Sequence, residues 1–419
     1  MVDARKASGR AVILARRLPL LIAVLALSAT AYADNELHQN WVGTWSASMQ
    51  TPFFGAPATF NGVTLRQIVH VSVGGSNVRV RFSNAWGTDP FTIGTASLGI
   101  HTTGASVRPG SLRALTFGGA TSITVPNGAV ALTDPVQLNV DAGADLTVSL
   151  FVSRPSSAKT QLSLAHQTSY VSPTGDFTGA TSMPVGSTTT SWYWLSGIEV
   201  RAALSNRAIV AFGDSITEGL ASTTDANARW PDVLARRLRD HAGTRGVAVL
   251  NEAISGNRVL NDELGPNAQK RIDRDVLTQG GVKYVTLLLG TNDLGFSQLS
   301  IPGLVTTNVS AAEIIAGYRQ IILRVHQQGA KIYGGTILPF EGAGYWDAAA
   351  EAKRVVINAW IRTGHAFDEV IDFDAVMRDP HHPSRMRAEF DSGDHLHPND
   401  AGYAAMGNSI ELSLFEEEE

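Results

Sequence analysis

The chain of 419 residues contains no cysteine. That absence removes disulfides, thiolate metal sites and cysteine nucleophiles together. Basic charge is also short, with 33 Lys and Arg against 38 Asp and Glu. Nucleic acid and anionic membrane surfaces are held by clustered cations, so neither is an expected partner. Low-complexity tracts are missing, and a hydrophobic fraction of 44% is ample for packed cores. The apolar run "LPLLIAVLAL" near the N-terminus falls well short of the ~20 residues that span a bilayer. It follows Arg5, Lys6, Arg10, Arg16 and Arg17 and precedes Ala31-Tyr32-Ala33. A positive segment, a short apolar segment and a small-residue cleavage site are the parts of a secretory signal. Residues 1–33 are therefore expected to be removed, leaving an exported protein (periplasmic or extracellular) without stable membrane association. Cleavage takes five basic residues and one acidic one, leaving 28 against 37 and a net charge of −9. Residues 416–419 are all Glu and read as a solvated acidic tail. At this length two domains are expected, and without disulfides both must rely on their cores.

The remaining sequence divides into two halves of different period. From Trp41 to about Asn206 apolar and polar residues alternate between Gly-, Ser- and Thr-rich breaks. The stretch "LRQIVHVSVGGSNVRVRFSNAWG" holds two alternating runs around Gly74-Gly75-Ser76-Asn77, which predicts a hairpin. With further strands in "DLTVSLFVS" and "WYWLSGIEVRA" and no convincing helix, residues 36–206 are expected to form an all-β sandwich or jelly roll. After residue 206 apolar strand candidates at 208–212, 247–254, 284–290, 331–338 and 370–373 alternate with helical patterns. Strands apolar on both faces and joined through helices imply a parallel sheet covered on both sides. Residues 207–415 are thus expected to be α/β: a flavodoxin-like, doubly wound, five-stranded parallel sheet. In such a fold ligands sit beyond the carboxyl ends of the strands.

Polar motifs collect at those ends. The first strand runs into Gly213-Asp214-Ser215, the second into Ser255-Gly256-Asn257-Arg258 and the third into Gly290-Thr291-Asn292-Asp293. Asp394 and His397 stand three residues apart before the last helix. Each fragment has a plain structural reading: Ser215 with Glu218 fits a helix capping box, and the others fit turns and caps. Their joint position on one rim favours a shared chemical purpose. A serine hydroxyl needs an adjacent base, for which a histidine is suited, and the histidine needs an acceptor at its other nitrogen.

In order, spacing and relation to the strands, the four segments resemble the four blocks of the SGNH hydrolases, also called GDSL esterases. Here the first block reads G-D-S-I in place of G-D-S-L. The resemblance implies that Ser215, Gly256, Asn292 and His397 hold the four defining positions, with Asp394 as the acid partner. It also implies an oxyanion hole from the backbone N–H groups of Ser215 and Gly256 and the side-chain amide of Asn292. Asp214 is read as a structural acceptor for loop N–H groups. The N-terminal half is similar to β-rich domains that precede the catalytic domain in some secreted bacterial members. No cofactor and no metal is implied. The expected substrate is a short-chain, most simply acetyl, O-acyl ester, first among them an acetylated polysaccharide; aryl or alkyl esters and lysophospholipids follow.

Three other readings stand beside this one. His381, His382, His395 and His397 with Asp394 suggest a metal-dependent phosphoesterase. The same serine chemistry serves an O-acyltransferase. Trp41, Trp45, Trp86, Trp192 and Trp194 could stack on sugars, which would make the protein chiefly carbohydrate-binding. Four segments after strand ends, 260–270, 294–309, 340–347 and 375–393, have the composition of loops that wall a pocket.

Overall fold

A computed structural model describes residues 39–52, 55–298 and 307–416. The expected signal segment, residues 1–33, and Glu417 to Glu419 lie outside the described residues, as does the 299–306 part of the second wall segment.

The N-terminal half consists of antiparallel sheets. Gln39–Ser46, Leu195–Ala203, Gly75–Ser83 and Val130–Leu132 pair in that order, with Val136–Val140 also on Gly75–Ser83. A second sheet orders Ser187–Thr189, Ser169–Thr174, Val63–His70, Asp145–Val152, Phe91–Ile100 and Arg113–Leu115. Alternation puts Val78, Val80 and Phe82 of the first sheet and Leu65, Val69, Leu98, Val148 and Leu150 of the second into one core.

The predicted hairpin at Gly74–Asn77 is not formed. Val63–His70 and Gly75–Ser83 belong to different sheets, and the chain between them crosses from one to the other. Thr44 decides this. Its carbonyl accepts from the Ser72 amide at 2.9 Å, and its hydroxyl accepts from the Val73 amide at 3.0 Å. Gly74 and Gly75 serve close approach rather than a turn, because a Cβ at either position would strike the backbone of Val140 or Arg201. Sequence alternation fixed the strands correctly but not their partners, which tertiary hydrogen bonds select.

In the C-terminal half the order is Val247–Ala253, Arg207–Gly213, Val282–Leu288, Lys331–Gly335, Glu369–Ile371, all parallel. This is the expected five-stranded arrangement. Every residue of Arg207–Gly213 is buried, as a central strand with helices on both faces requires. The helix Ala311–Gln327 begins in a capping box of Ser310 and Glu313; Ala348–Thr363 and Asp400–Ser409 begin at Asp347 and Asn399, whose side chains accept backbone N–H groups. Among the described residues no helix is long and apolar enough to cross a membrane.

The two halves share one continuous apolar cluster that runs from Val42 and Val200 to Leu250, Val285 and Ile332. Val247–Ala253 is an edge strand, and the β-rich half covers that edge. The Val249 amide donates to Ser72 Oγ at 3.1 Å, and the Gly43 amide donates to the Gly280 carbonyl at 2.9 Å. Gly43 lets the backbone lie against the Leu250 methyls. Trp45, Trp192 and Trp194 are buried, and Trp41 and Trp86 are half-buried. Trp45 and Trp192 pack edge to face at 4.8 Å, Trp194 stacks on Phe91 at 4.0 Å, and Arg79 lies over Trp41 at 4.4 Å. Trp86 Nε1 donates to the Met49 carbonyl at 2.7 Å.

A shared core predicts shared unfolding. Leu250→Ala is expected to cost about 2–5 kcal/mol, and scanning calorimetry with near-ultraviolet circular dichroism should show both halves melting together at the lower temperature. A separate, unshifted transition of the tryptophan-rich half would contradict the shared core.

Candidate active site

Arg207–Gly213 ends in a sharp turn into the short helix Ser215–Glu218. The cap of that helix is Asp214, whose side chain accepts the Ile216 amide at 3.1 Å. The capping box of Ser215 with Glu218 is therefore absent. Ser215 stands one residue inside the helix with its hydroxyl free for other work, and the Glu218 carboxylate accepts from the Ser255 hydroxyl. Gly213 is required at the bend, because a Cβ there would overlap Thr217. Gly219, at φ 98°, ends the helix in the left-handed region.

Ser215 Oγ lies 2.8 Å from His397 Nε2, and His397 Nδ1 lies 2.6 Å from Asp394 Oδ2. The loop that brings the last two together is a tight turn with Gly393 and His395 both at positive φ. Asp394 Oδ1 accepts from the amides of Leu396 and His397 at 2.9 and 2.8 Å and from Ser392 Oγ at 3.0 Å. Burial alone would raise the Asp394 carboxyl, but the hydrogen bonds from His397 and from these amides outweigh it and hold the group well below the usual carboxylate range. An ionised carboxylate only accepts, so His397 Nδ1 carries a proton, and in the neutral imidazole Nε2 is left to accept from Ser215.

The second and third motifs come to the same rim. Gly256, at φ 74°, lies against the Leu264 side chain. The amides of Ser215 and Gly256 make no hydrogen bond to another described residue. Asn292 Nδ2 donates to the Asn257 carbonyl at 3.1 Å, and Asn292 Oδ1 accepts from Tyr345 Oη at 3.3 Å. These two contacts select one flip of the amide, with its NH₂ group on the Gly256 side. Asp293 holds the neighbouring loop by accepting the Val259 amide at 2.8 Å.

Underneath lies Arg271, fully buried. It donates to the Gly213 carbonyl at 2.9 Å, the Glu252 carbonyl at 2.7 Å and Asn257 Oδ1 at 2.9 Å, and it stacks on Phe212. One guanidinium thus ties the end of the Ser215 strand to the loop of Gly256. Neither Arg271 nor Tyr345 lies in a motif; the sequence marks Tyr345 only as part of the 340–347 wall segment, and Arg271 not at all. Gly295 is required beside the Tyr345 ring, which a Cβ there would overlap.

Ser215, His397, Asp394, Gly256 and Asn292 are therefore neighbours. Of the wall segments, 260–270 contributes Leu264 and 340–347 contributes Tyr345, and 375–393 packs on the latter through the Glu341 amide and the Ser384 carbonyl at 2.9 Å. Of the histidines weighed as metal ligands, His395 and His397 turn their Nδ1 atoms to different carboxylates, Asp391 and Asp394. His395 Nδ1 lies 2.6 Å from Asp391, and the amides of His381 and His382 donate to Asp379. Among the described residues no group of three or more His, Asp or Glu is arranged to hold a metal ion.

Residues 211–405 match the family described as GDSL-like Lipase/Acylhydrolase. No curated protein matches the chain. Solved structures do. An acetylxylan esterase from Geobacillus stearothermophilus is 20% identical, with 51% of this chain and 96% of that chain covered at a TM-score of 0.39. The aryl esterase of M. smegmatis is 18% identical over 48% of this chain and 95% of that one, with a TM-score of 0.38. A carbohydrate acetylesterase from Sinorhizobium meliloti is 17% identical over 49% and 96%, with a TM-score of 0.37.

Two predictions follow from the site's own chemistry. Tyr345→Phe removes only a hydroxyl, and at roughly 1 kcal/mol for a hydrogen bond it is expected to lower kcat about fivefold with KM unchanged; steady-state kinetics check this. The second concerns buried acids. Burial, reinforced by Asp293, pushes Asp214 up to about 7, and burial pushes Glu218 to about 7 and Asp293 to about 6. All three are raised above their unfolded values, so the stability they confer is complete at low pH and is lost as pH rises from about 4 to about 7. Asp214→Asn keeps the cap and should shrink the fall in thermal midpoint across that window; an unchanged pH slope would contradict the assignment.

Proposed function

We propose that the domain at residues 211–405, which matches the GDSL-like Lipase/Acylhydrolase family, is a carboxylic ester hydrolase that cleaves short-chain O-acyl esters with Ser215 as nucleophile. The observation that carries the reading is the unbroken chain from Ser215 Oγ to His397 at 2.8 Å and from His397 to Asp394 at 2.6 Å. Ser215 Oγ attacks the ester carbonyl carbon while its proton passes to His397 Nε2. The carbonyl oxygen becomes an oxyanion, for which the Ser215 and Gly256 amides and the Asn292 NH₂ group are the donors; each such donor contributes about 2.7–4 kcal/mol of transition-state stabilisation. Asp394, ionised throughout, stabilises the imidazolium. Collapse breaks the ester C–O bond, and the alcohol leaves with the proton from His397. Water then attacks the acyl-serine, gives one proton to His397 and releases the carboxylic acid, while the proton returns to Ser215.

Leu264 against Gly256 and Tyr345 beside Asn292 crowd the oxyanion side, which favours a small acyl group. The opposite rim is polar: the Asp394 and His395 side chains are 48% and 53% exposed. A hydrated leaving group such as a sugar hydroxyl suits that rim, so acetylated polysaccharide is our first choice of substrate. Export with cleavage after Ala33 belongs to the same proposal.

Ser215→Ala is expected to lower turnover of an activated acetyl ester by about 10⁴-fold or more with the fold retained, and chelators should leave the wild type unaffected. In a panel of acetylated xylan, a longer-chain aryl ester and a lysophospholipid, the first should be turned over best. Activity in Ser215→Ala would remove the nucleophile, and silence on every acetylated polymer would remove the substrate. N-terminal sequencing of exported protein should begin at Asp34.

A further inference from the structure

The stretch that follows Gln39–Ser46 dips into the base of the candidate active site. Ala47 donates to the Ser196 carbonyl at 3.3 Å, and Gln50 exchanges backbone hydrogen bonds with Gln161 at 2.8 and 2.9 Å. Pinned at both ends, this stretch presents Ser48, which is fully buried. Ser48 Oγ donates to Glu252 Oε2 at 2.6 Å and accepts from Arg271 Nη1 at 2.9 Å. Glu252 Oε1 accepts from Gln279 Nε2 at 2.6 Å, and Gln279 in turn accepts from Arg81 of the β-rich half.

Arg271 is the guanidinium that joins the Gly213 and Glu252 carbonyls to Asn257. Gly213 lies two residues before one oxyanion donor, and Asn257 lies one residue after another. A small rotation of this planar group moves those donors relative to each other. Oxyanion catalysis is sensitive to shifts of well under an ångström. Ser48 Oγ accepts at Nη1, which also serves the Glu252 carbonyl and Asp275, and among the described residues it is the hydrogen-bonding partner that Arg271 finds in residues 39–206.

We propose that Ser48 is a positioning residue for the oxyanion hole, so that the β-rich half is part of the catalytic unit rather than a brace beside it. The inference rests on the esterase reading above. Glu252 is itself raised by burial and by Asp275, opposed by the serine hydroxyls and Arg81, so the Ser48 hydroxyl also bears on a buried acid. The comparison residue is Ser72. It too reaches from the β-rich half, but to the middle of the same strand, at Val249, where no oxyanion donor depends on it.

The experiment uses the full mature chain with an activated acetyl ester and with an alkyl boronic acid, which forms a tetrahedral adduct on the serine. Ser48→Ala is expected to lower kcat about tenfold, to leave KM within about twofold, and to weaken boronic acid binding in proportion to kcat. Ser72→Ala is expected to lower the thermal midpoint at least as much and to leave kcat and boronic acid affinity at wild-type values. If Ser48→Ala does not fold, Ser48→Cys, which keeps nearly the same shape but accepts far more weakly from Arg271, takes its place with the same expectation at smaller size. Equal kinetic effects from the Ser48 and Ser72 variants, or a Ser48 loss confined to stability, would overturn the proposal. Absence of turnover or of boronic acid binding in the wild type would instead overturn the esterase reading and leave the hydrogen-bond geometry intact.

Discussion

The hydrogen-bonded guanidinium of Arg271 is the constraint from which the rest of the site takes its shape. A charge this deep is tolerable only when its donors are used, and here they go to Gly213, Glu252, Asn257, Ser48 and Asp275. Burial lowers the group to about 10, so it stays charged at any physiological pH. Two of its acceptors, Gly213 and Glu252, belong to the ends of two adjacent parallel strands, and a third, Asn257, to the loop that follows the second. The spacing of those ends is therefore set by a rigid planar group and not by loop conformation alone.

Around that point the chain accepts costs that only a site would need. Asp214, Glu218 and Asp293 are buried acids raised into the neutral range, and Asp214 Oδ2 has no partner. His395, Ala221, Asp225 and Asn227 adopt positive φ without being glycine. Backbone strain and buried titratable groups persist where the surrounding structure over-determines them. The shared core and the covered strand edge supply that surplus: Val249 finds its acceptor in Ser72 and Gly43 packs on Leu250. The two halves thus depend on each other for packing as well as for hydrogen bonds.

The sequence made much of this legible, for physical reasons. Strands such as Arg207–Gly213 are apolar on both faces because both are covered, and that signal survives without knowledge of neighbours. The motif residues were readable because their chemistry needs particular side chains at strand ends. The pairing of Val63–His70 was not readable, since Thr44 rather than the Gly74-Gly75 pair decides where the chain goes next. The capping box was misleading because Asp214, one residue earlier, competes better for the helix N-terminus. Arg271 and Ser48 carry no local pattern at all, and Tyr345 only the composition of a loop; Tyr345 and Arg271 meet the motifs across separations of 53 and 14 residues, and Ser48 reaches them by way of Glu252 and Arg271, 204 and 223 residues away.

The most direct test of the central claim is a structure of the protein after reaction with a phosphonate ester, which bonds phosphorus to a nucleophilic serine and expels its alcohol. The predicted result is a single adduct on Ser215 Oγ, with the phosphoryl oxygen about 3 Å from the Ser215 and Gly256 amides and the Asn292 side-chain nitrogen. An adduct on another residue, or one on Ser215 with that oxygen turned away from all three donors, would contradict it.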